Sequence, residues 1–215
     1  MAEIDWKEAR RYLGLHRPGG NVDEQLEDAL RSCGAELEAA ARPRAVWRRF
    51  PLAAENGAVT CAGMVIPSAH LARHLKGCGE VYLFAATLGA ETDRLLRRSA
   101  VTQVSRAVIL QACAASLLEA YCDQCCDGLA REVAPKGLFL RPRFSPGYGD
   151  FPITFQRPLL EAVEAPKRIG LTATGAMMLT PTKSVTALVG LSPTPWCPPT
   201  GCAACGKTDC AFRKG

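Results

Sequence analysis

Residues 80–89 read EVYLFAATLG, a continuous apolar stretch that begins at a glutamate and ends at a glycine. A short apolar run bounded in this way is typical of a strand that is buried on both faces. The preceding residues 45–66 (AVWRRFPLAAENGAVTCAGMVI) alternate in polarity around Asn56-Gly57, which is the usual signal of a β-hairpin. The sequence therefore predicts a buried strand beside a hairpin, followed by a helix from Ala90.

Helices are predicted on both sides of this strand. Residues 3–15 and 23–41 show helical spacing of apolar residues, and Asn21 and Asp23 can cap the second helix. A short helix is expected over residues 68–76. The N-terminal half of the chain is therefore expected to be mixed, with helices before and after the hairpin.

The longest periodic element is predicted over residues 98–132. One broad apolar face is expected to run along it, formed by Val101, Val104, Val108, Ala112, Ala115, Leu118, Cys122, Cys125 and Leu129. Glu119 lies in this apolar neighbourhood, where an unpaired buried carboxylate would be costly. It is therefore expected either at the solvated edge of the stripe or beside a partner of positive charge.

The pattern changes after Pro135. Residues 137–156 are expected to be extended and loop-like, a short amphipathic helix begins near Pro158, and two strand candidates flank the turn TPTK at residues 180–183. Helices and strands thus occur without strict βαβ alternation. This order predicts an α+β fold in which helices pack on a largely antiparallel twisted sheet. Residues 1–192 are expected to form this domain, and residues 193–215 a Cys-rich tail.

Composition limits the function classes. The chain has 215 residues, 48% of them hydrophobic, and no apolar run reaches the ~18–20 residues of a membrane span. The start, MAEIDWKEARRYLG, lacks the apolar core of a signal peptide, so a cytoplasmic protein is expected. The net charge is +5, but the arginines are dispersed and aromatic residues make up only 7%. This disfavours nucleic acid as a partner, and leaves open a basic face that docks an acidic protein.

Eleven cysteines fall into three classes. Scattered cysteines in apolar surroundings are expected to be buried hydrophobes: Cys33, Cys61, Cys78 and Cys113. Three more lie on the predicted long helix, where packing is favoured over a metal site: Cys122, Cys125 and Cys126. The spacing of a site is found only in the tail, at Cys197, Cys202, Cys205 and Cys210. These four favour zinc or a 4Fe–4S cluster, with free thiols on a disordered tail as the alternative.

Residues 143–150 (RFSPGYGD) form a loop rich in proline and glycine. Pro146 fixes its own φ, and Gly147 permits a positive φ or the close approach of another molecule. Arg143 offers a planar fork of donors that suits a carboxylate, and Tyr148 offers a flat apolar face. The loop could hold a small molecule with a carboxylate and an aromatic base, or it could be a rigid structural turn.

Several stretches together resemble a known family. RFSPGYGD is followed by GLTATGAMMLTPTKSVTALVG at residues 170–190, and RRYLG and FAATLGAETD precede them. The chain resembles the reactivation domain of cobalamin-dependent methionine synthase. It is more closely similar to the stand-alone vitamin B12-dependent methionine synthase activation proteins of anaerobic bacteria. The resemblance covers most of the chain.

The resemblance implies a binding site for S-adenosylmethionine. Its Arg-x-x-x-Gly-Tyr element falls on Arg143, Gly147 and Tyr148. The family places a glutamate near the amino group of the ligand, and LLEAYCDQ assigns this role to Glu119. An N-terminal aspartate of the family also touches the ligand, and the short match EIDW points to Asp5.

The implied function is reductive remethylation of cob(II)alamin on a partner, either a cobalamin-dependent methionine synthase or another corrinoid protein. The cobalamin is expected to arrive on that partner, because the chain contains no DxHxxG stretch of a cobalamin-binding module. The electron would come from a cluster in the tail or from a donor protein. Because the methyl acceptor is a cofactor of another protein, whether the chain counts as an enzyme is left open. Two alternatives remain: an iron–sulfur or zinc module that activates a corrinoid protein without binding S-adenosylmethionine, and an unrelated S-adenosylmethionine-binding regulator.

Overall fold

The computed structural model describes residues 2–15 and 24–196. Eight strands occur in this part of the chain: β1 (Arg44–Glu55), β2 (Ala58–Cys61), β3 (Met64–Pro67), β4 (Glu80–Thr87), β5 (Phe139–Leu140), β6 (Thr172–Ala173), β7 (Leu179–Thr180) and β8 (Ser184–Ser192). Six of them form one antiparallel sheet in the order β3-β2-β1-β4-β8-β5. The remaining two, β6 and β7, form a separate antiparallel pair.

Strand β4 lies in the middle of the sheet. It pairs with β1 on one side and β8 on the other, so that Phe84 lies opposite both Trp47 and Ala187. Alternate residues of β4 enter two different cores, with Phe84 in one and Leu83 in the other. Because both faces are covered, the strand is apolar throughout, as the run at residues 80–89 predicted.

Seven α-helices occur in the described residues: α1 (Trp6–Tyr12), α2 (Glu24–Ala40), α3 (Ala69–His74), α4 (Ala90–Thr102), α5 (Val104–Val133), α6 (Gln156–Ala162) and α7 (Ala165–Ile169). The core that contains Phe84 is completed by α1, α2, α4 and α5, and the core that contains Leu83 by α3, α6 and α7. Helices thus cover both faces of an antiparallel sheet, and the predicted α+β class is confirmed. None of the described helices is long and apolar enough to cross a membrane.

The prediction of a single long helix over residues 98–132 is wrong, because the helix is interrupted at Gln103. This residue has φ −152° and ψ 88°, which is extended backbone, and it separates α4 from α5. β-branched residues flank it on both sides and lower the local helix propensity. Two consecutive helices, separated at Gln103, replace the one that periodicity predicted.

The first part of the predicted apolar face is also wrong. Val101, Val104 and Val108 are 87%, 70% and 55% exposed. The buried side at the start of α5 is carried instead by Ala107 and Leu110. This segment is apolar over a wide arc, and periodicity by itself does not decide which part of the arc meets the core. The later members Leu118, Cys122 and Leu129 are buried as predicted.

Smaller departures have local causes. The single helix expected near Pro158 is two helices, since Pro166 lacks an N–H and its ring would clash with the carbonyl of Ala162 in a continuous helix. Strands do flank TPTK as predicted: β7 pairs with β6, and β8 pairs with β4 and β5. The hairpin at Asn56-Gly57 is confirmed, while Asn21 and Asp23 lie outside the described residues.

The scattered cysteines follow the prediction. Cys33, Cys61, Cys78 and Cys113 are all buried. Burial raises the pKa of Cys61 and Cys113 to about 11 in each case, because a thiolate in an apolar core would lose its hydration. These four thiols are therefore protonated core residues at neutral pH.

Candidate functional site

The loop that contains Arg143 is placed by the edge of the main sheet. After β5, the N–H of Arg141 donates to the carbonyl of Gly190 at 2.8 Å, and Phe144 exchanges two hydrogen bonds with Leu188 at 3.0 and 2.9 Å. The chain therefore continues along β8 as far as Phe144. This extension holds Arg143 between the sheet edge and helix α5.

A compact turn follows at residues 145–151. Tyr148 donates its N–H to the carbonyl of Ser145 at 3.1 Å, and Phe151 donates to the carbonyl of Tyr148 at 2.9 Å. Gly147 has φ +89° and donates its own N–H to the carbonyl of Phe151 at 2.8 Å. The glycine therefore serves the shape of the turn, since its positive φ would strain any other residue. Its backbone donor is already used.

Asp150 anchors the far end of this turn to helix α3. Its carboxylate accepts hydrogen bonds from the hydroxyl of Ser68, from the N–H of Ala69 at 2.8 Å and from the N–H of His70 at 3.2 Å. These hydrogen bonds, that from Ser68 first, hold the pKa of Asp150 below its usual value. Ser68 was expected to begin this helix. A second cap from a residue 82 positions later has no signal in the sequence.

The guanidinium of Arg143 binds two carboxylates of α5. Its Nη2 donates to Glu119 at 2.7 Å and its Nη1 to Asp123, also at 2.7 Å. Nη1 also lies 3.6 Å from the sulfur of Cys126. The spacings i, i+4 and i+7 place these three groups on one face of the helix. One arginine thus joins the sheet edge to α5 through two ion pairs.

Burial differs among the members of this cluster. The Arg143 side chain is 17% exposed, whereas Glu119 is 48% and Asp123 69% exposed. Burial by itself would lower the pKa of Arg143. The neighbouring Cys122 and the hydrogen bonds to Asp123 and Cys126 outweigh it, and the pKa is raised. Arg143 therefore keeps a permanent charge below a surface of solvated carboxylates.

Both expectations for Glu119 are met together. It lies at the exposed edge of the helix, and it also has a cationic partner, Arg143. The partner expected from the family resemblance was the positive charge of a ligand. In the protein alone, Arg143 occupies that position.

Two cavities adjoin the cluster. The larger, of about 600 Å³, is lined on one side by Glu119, Asp123 and Arg143, and on the other by Tyr148 and Trp196. The smaller, of about 440 Å³, shares Glu119, Asp123 and Arg143 with the first and adds Asp5. Four of the five residues predicted for ligand binding therefore line two cavities with a common wall. Gly147 shapes the turn that carries Tyr148.

Asp5 caps helix α1. Its Oδ1 accepts from the N–H groups of Lys7 at 2.9 Å and Glu8 at 3.2 Å, and its carbonyl accepts from the hydroxyl of Ser116 on α5 at 2.8 Å. This hydrogen bond holds the N-terminus of α1 against α5, about one helical turn before Glu119. Asp5 therefore has a structural role as well as a place in the smaller cavity.

Aromatic rings form part of the lining of the larger cavity. Tyr148 is 70% exposed and meets the ring of Phe144 edge-on at 6.0 Å. The indole of Trp196 lies 5.0 Å from the guanidinium carbon of Arg141 and 5.1 Å from the ring of His74. Sequence reasoning missed Trp196 because it assigned residues from 193 onward to the tail. Flat rings beside paired charges suit a ligand that has both an aromatic base and a zwitterionic end.

Two thiols of α5, Cys122 and Cys126, lie close to Arg143. Cys126 lines the larger cavity and Cys122 lies behind it, and burial raises the pKa of both. Among residues 2–15 and 24–196, no group of three or more His, Cys, Asp or Glu side chains is placed to hold a metal ion. The four tail cysteines, Cys197, Cys202, Cys205 and Cys210, lie outside the described residues. Zinc or a cluster on them stays a prediction.

Comparison with known proteins gives one kind of match. No family model and no curated protein matches the chain. Among solved structures, it is similar to the MetH reactivation domain bound to AdoHcy, with a TM-score of 0.64 and 18% sequence identity. The match covers 88% of this chain and 74% of that one. A similarity at this identity establishes the fold, which agrees with the fold that the resemblance implied.

Proposed function

We propose that this protein is a stand-alone reactivation factor that binds S-adenosylmethionine and supports reductive remethylation of cob(II)alamin on a partner methionine synthase. One observation carries the proposal: Arg143 and Tyr148 of one loop line a single cavity with Glu119, which lies 24 positions earlier in the chain. The fold supports it, because a reactivation domain of the same architecture was crystallised with AdoHcy.

The amino-acid end and the adenine of S-adenosylmethionine each match side chains that line the cavity. The carboxylate of the amino-acid end matches Arg143, and its ammonium matches Glu119. The adenine has the exposed ring of Tyr148 to lie against. Asp5 lines the adjoining cavity together with Glu119, and we assign it to the amino-acid end of the ligand.

The resident ion pairs do not prevent this exchange. Glu119 and Asp123 are 48% and 69% exposed, so water screens both ion pairs and hydrates either carboxylate when Arg143 releases it. A zwitterionic ligand replaces them with one carboxylate for Arg143 and one ammonium for Glu119. Arg143 and Glu119 therefore each keep a partner of opposite charge when the ligand is bound.

The methyl transfer requires this protein to position S-adenosylmethionine. One electron reduces Co(II) to Co(I) on the partner, the cobalt electron pair attacks the methyl carbon, and the S–CH₃ bond breaks to leave a neutral thioether. No proton moves, so this chain need supply no acid or base. Its task is to hold the sulfonium facing the partner in near-attack geometry.

Calorimetric titration with S-adenosylmethionine tests the proposal. Arg143→Ala is expected to weaken binding about ten- to a hundredfold, the range of a hydrogen bond to a charged group. Arg157→Ala is the matched control, because this exposed arginine donates to the carbonyl of Thr174 on the other side of the sheet. Undetectable binding of wild-type protein at millimolar ligand, or equal binding by Arg143→Ala, contradicts the proposal.

A second candidate function is a metal or cluster module that activates a corrinoid protein by electron delivery or docking. It is favoured by the position of Trp196, which lines the larger cavity immediately before Cys197 in the chain. Anaerobic purification followed by iron, sulfide and zinc analysis, with Cys202→Ser as the comparison, tests it. Four irons and four sulfides per chain support electron delivery, and one zinc in a colourless protein excludes it.

The partner can be tested separately. A methionine synthase that lacks its own activation domain is expected to be remethylated only when this chain, S-adenosylmethionine and a reductant are all present. A cytoplasmic encounter between two proteins, without nucleic acid or membrane, is the setting that this proposal requires. Remethylation that proceeds equally without the chain contradicts it.

A further inference from the structure

We infer that Asp123 makes the site select a cationic sulfonium ligand over its neutral thioether product. This inference rests on the proposed function and deepens it. The family resemblance assigned roles to Glu119 and Arg143 and none to Asp123. The reason to assign one is the count of charges at the cavity wall.

The two cavities are acidic in a basic protein. The described residues that line them include five carboxylates and three guanidinium groups, a net charge of −2. They are Asp5, Glu8, Glu119, Asp123, Asp127, Arg11, Arg141 and Arg143. The whole chain carries +5. The site therefore has an excess of negative charge that one zwitterionic end cannot neutralise.

Asp123 is the carboxylate that ligand binding leaves over. In the free protein Arg143 holds two carboxylates, but a ligand offers it only one, and the ligand ammonium satisfies only Glu119. Asp123 lies one helical turn beyond Glu119, lines both cavities, and loses its partner when the ligand carboxylate takes Nη1 of Arg143. A sulfonium supplies a new positive charge nearby, and a thioether does not.

The two effects of Asp123 can be separated. By competing for Arg143, it weakens binding of the sulfonium and the thioether to the same extent, since both carry the same amino-acid carboxylate. By its charge, it strengthens binding of the sulfonium alone. The ratio of the two dissociation constants therefore reports the charge effect and cancels the competition.

Calorimetric titrations with S-adenosylmethionine and with S-adenosylhomocysteine measure this ratio. In Asp123→Asn, the preference for the sulfonium is expected to fall about three- to tenfold, the effect of one charge across a partly solvated gap of several ångströms. Binding of S-adenosylhomocysteine is expected to tighten in the same variant. A structural role for Asp123 would weaken both ligands and leave their ratio unchanged.

Asp127→Asn is the matched control. It removes the same charge one turn further along α5, from a residue that lines the larger cavity but makes no ion pair with Arg143 in the described contacts. Its ratio is expected to stay within about twofold of wild type, since the interaction falls with distance and solvation. An equal shift in both variants overturns the specific role of Asp123.

The outcomes also distinguish this inference from the function on which it rests. Wild-type protein that binds neither ligand overturns both. Wild-type protein that binds both ligands, with a ratio that Asp123→Asn leaves unchanged, overturns the selectivity of Asp123 alone. Circular dichroism of each variant confirms that the exposed substitution has left the fold intact.

Discussion

Arg141 and Arg143 stand two residues apart in one extended segment, yet the regions around them differ. Arg141 is 9% exposed and bonds to neutral groups, the carbonyl of Lys76 at 3.3 Å and the hydroxyl of Ser192 at 3.1 Å. Its Nε has no hydrogen-bond partner among the described residues. Arg143 instead holds two solvated carboxylates. A guanidinium tied to backbone and aromatic groups supports the fold, whereas one tied to exposed carboxylates can exchange them for a ligand.

In the Arg141 region, the largest loss of stability is expected from Gly190→Ala. A Cβ at this position of β8 would lie 2.6 Å from Leu75 Cδ2, 2.7 Å from Cys78 Sγ and 3.2 Å from Arg141 Cγ. Overpacking of this kind lowers the free energy of unfolding by about 1–3 kcal/mol. Thermal unfolding should show a Tm lowered by several degrees.

Gly79→Ala is the control for that substitution. A Cβ there meets nothing within 4 Å, so the Tm is expected to stay near that of wild type. Equal Tm values for the two alanine variants would show that the region between β8 and α3 is less tightly packed than its distances imply.

Arg141→Ala should come next in size. It removes a buried side chain and leaves the carbonyl of Lys76 and the hydroxyl of Ser192 without this donor. A loss of about 1–3 kcal/mol in the free energy of unfolding is expected from the lost hydrogen bonds of this charged donor, measured by urea denaturation. Ligand affinity should change much less than stability. A variant as stable as wild type would mean that relief of the desolvated charge offsets the lost contacts.

Arg143→Ala should give the reverse pattern. Its partners Glu119 and Asp123 are solvated once released, so the free energy of unfolding is expected to fall by about 1 kcal/mol or less. Ligand affinity should fall far more, as proposed above. Urea denaturation and calorimetry on the same preparation check both halves, and a large stability loss with unchanged affinity would reverse the roles of the two arginines.

The smallest effect concerns pH in the Arg141 region. Burial lowers the pKa of His74, with a further contribution from the charge of Arg141, although the hydrogen bond to the carbonyl of Pro142 at 2.8 Å acts the other way. The unfolded chain then binds more protons near and below about pH 6.5. The contribution of neutral His74 to the free energy of unfolding is therefore complete above about pH 6.5. It is lost as the pH falls toward the pKa of His74 in the folded protein.

A mild decrease in Tm is therefore expected between about pH 6.5 and 5. His74→Gln should flatten the dependence in this window, because the replacement does not titrate. A wild-type Tm that rises on acidification would mean that folding raises the pKa of His74 and does not lower it.

Parts of this site could be predicted from residues near one another in sequence. The positive φ of Gly147, the exposed ring of Tyr148 and the cap at Ser68 follow from local backbone chemistry. Asp123 and Trp196 were missed, since their importance depends on contacts with Arg143 and Arg141, 20 and 55 positions away. The valines at the junction of α4 and α5 were wrongly predicted to be buried, because the periodicity of apolar residues does not show on which side of a helix the core lies.

The sequence by itself determined that the apolar run at residues 80–89 contains a strand covered on both sides and that the hairpin turns at Asn56-Gly57. It also determined that a loop rich in proline and glycine follows Arg143 and carries Tyr148. Each depends on local propensity or on an unbroken apolar run, both of which short stretches encode. Only the tertiary structure decided that Arg143 faces α5 and Arg141 faces α3. The orientation of the two arginines depends on how the edge of the sheet packs between two helices. Such contacts join segments that are distant in sequence, and the hydrophobic periodicity of one segment does not predict them.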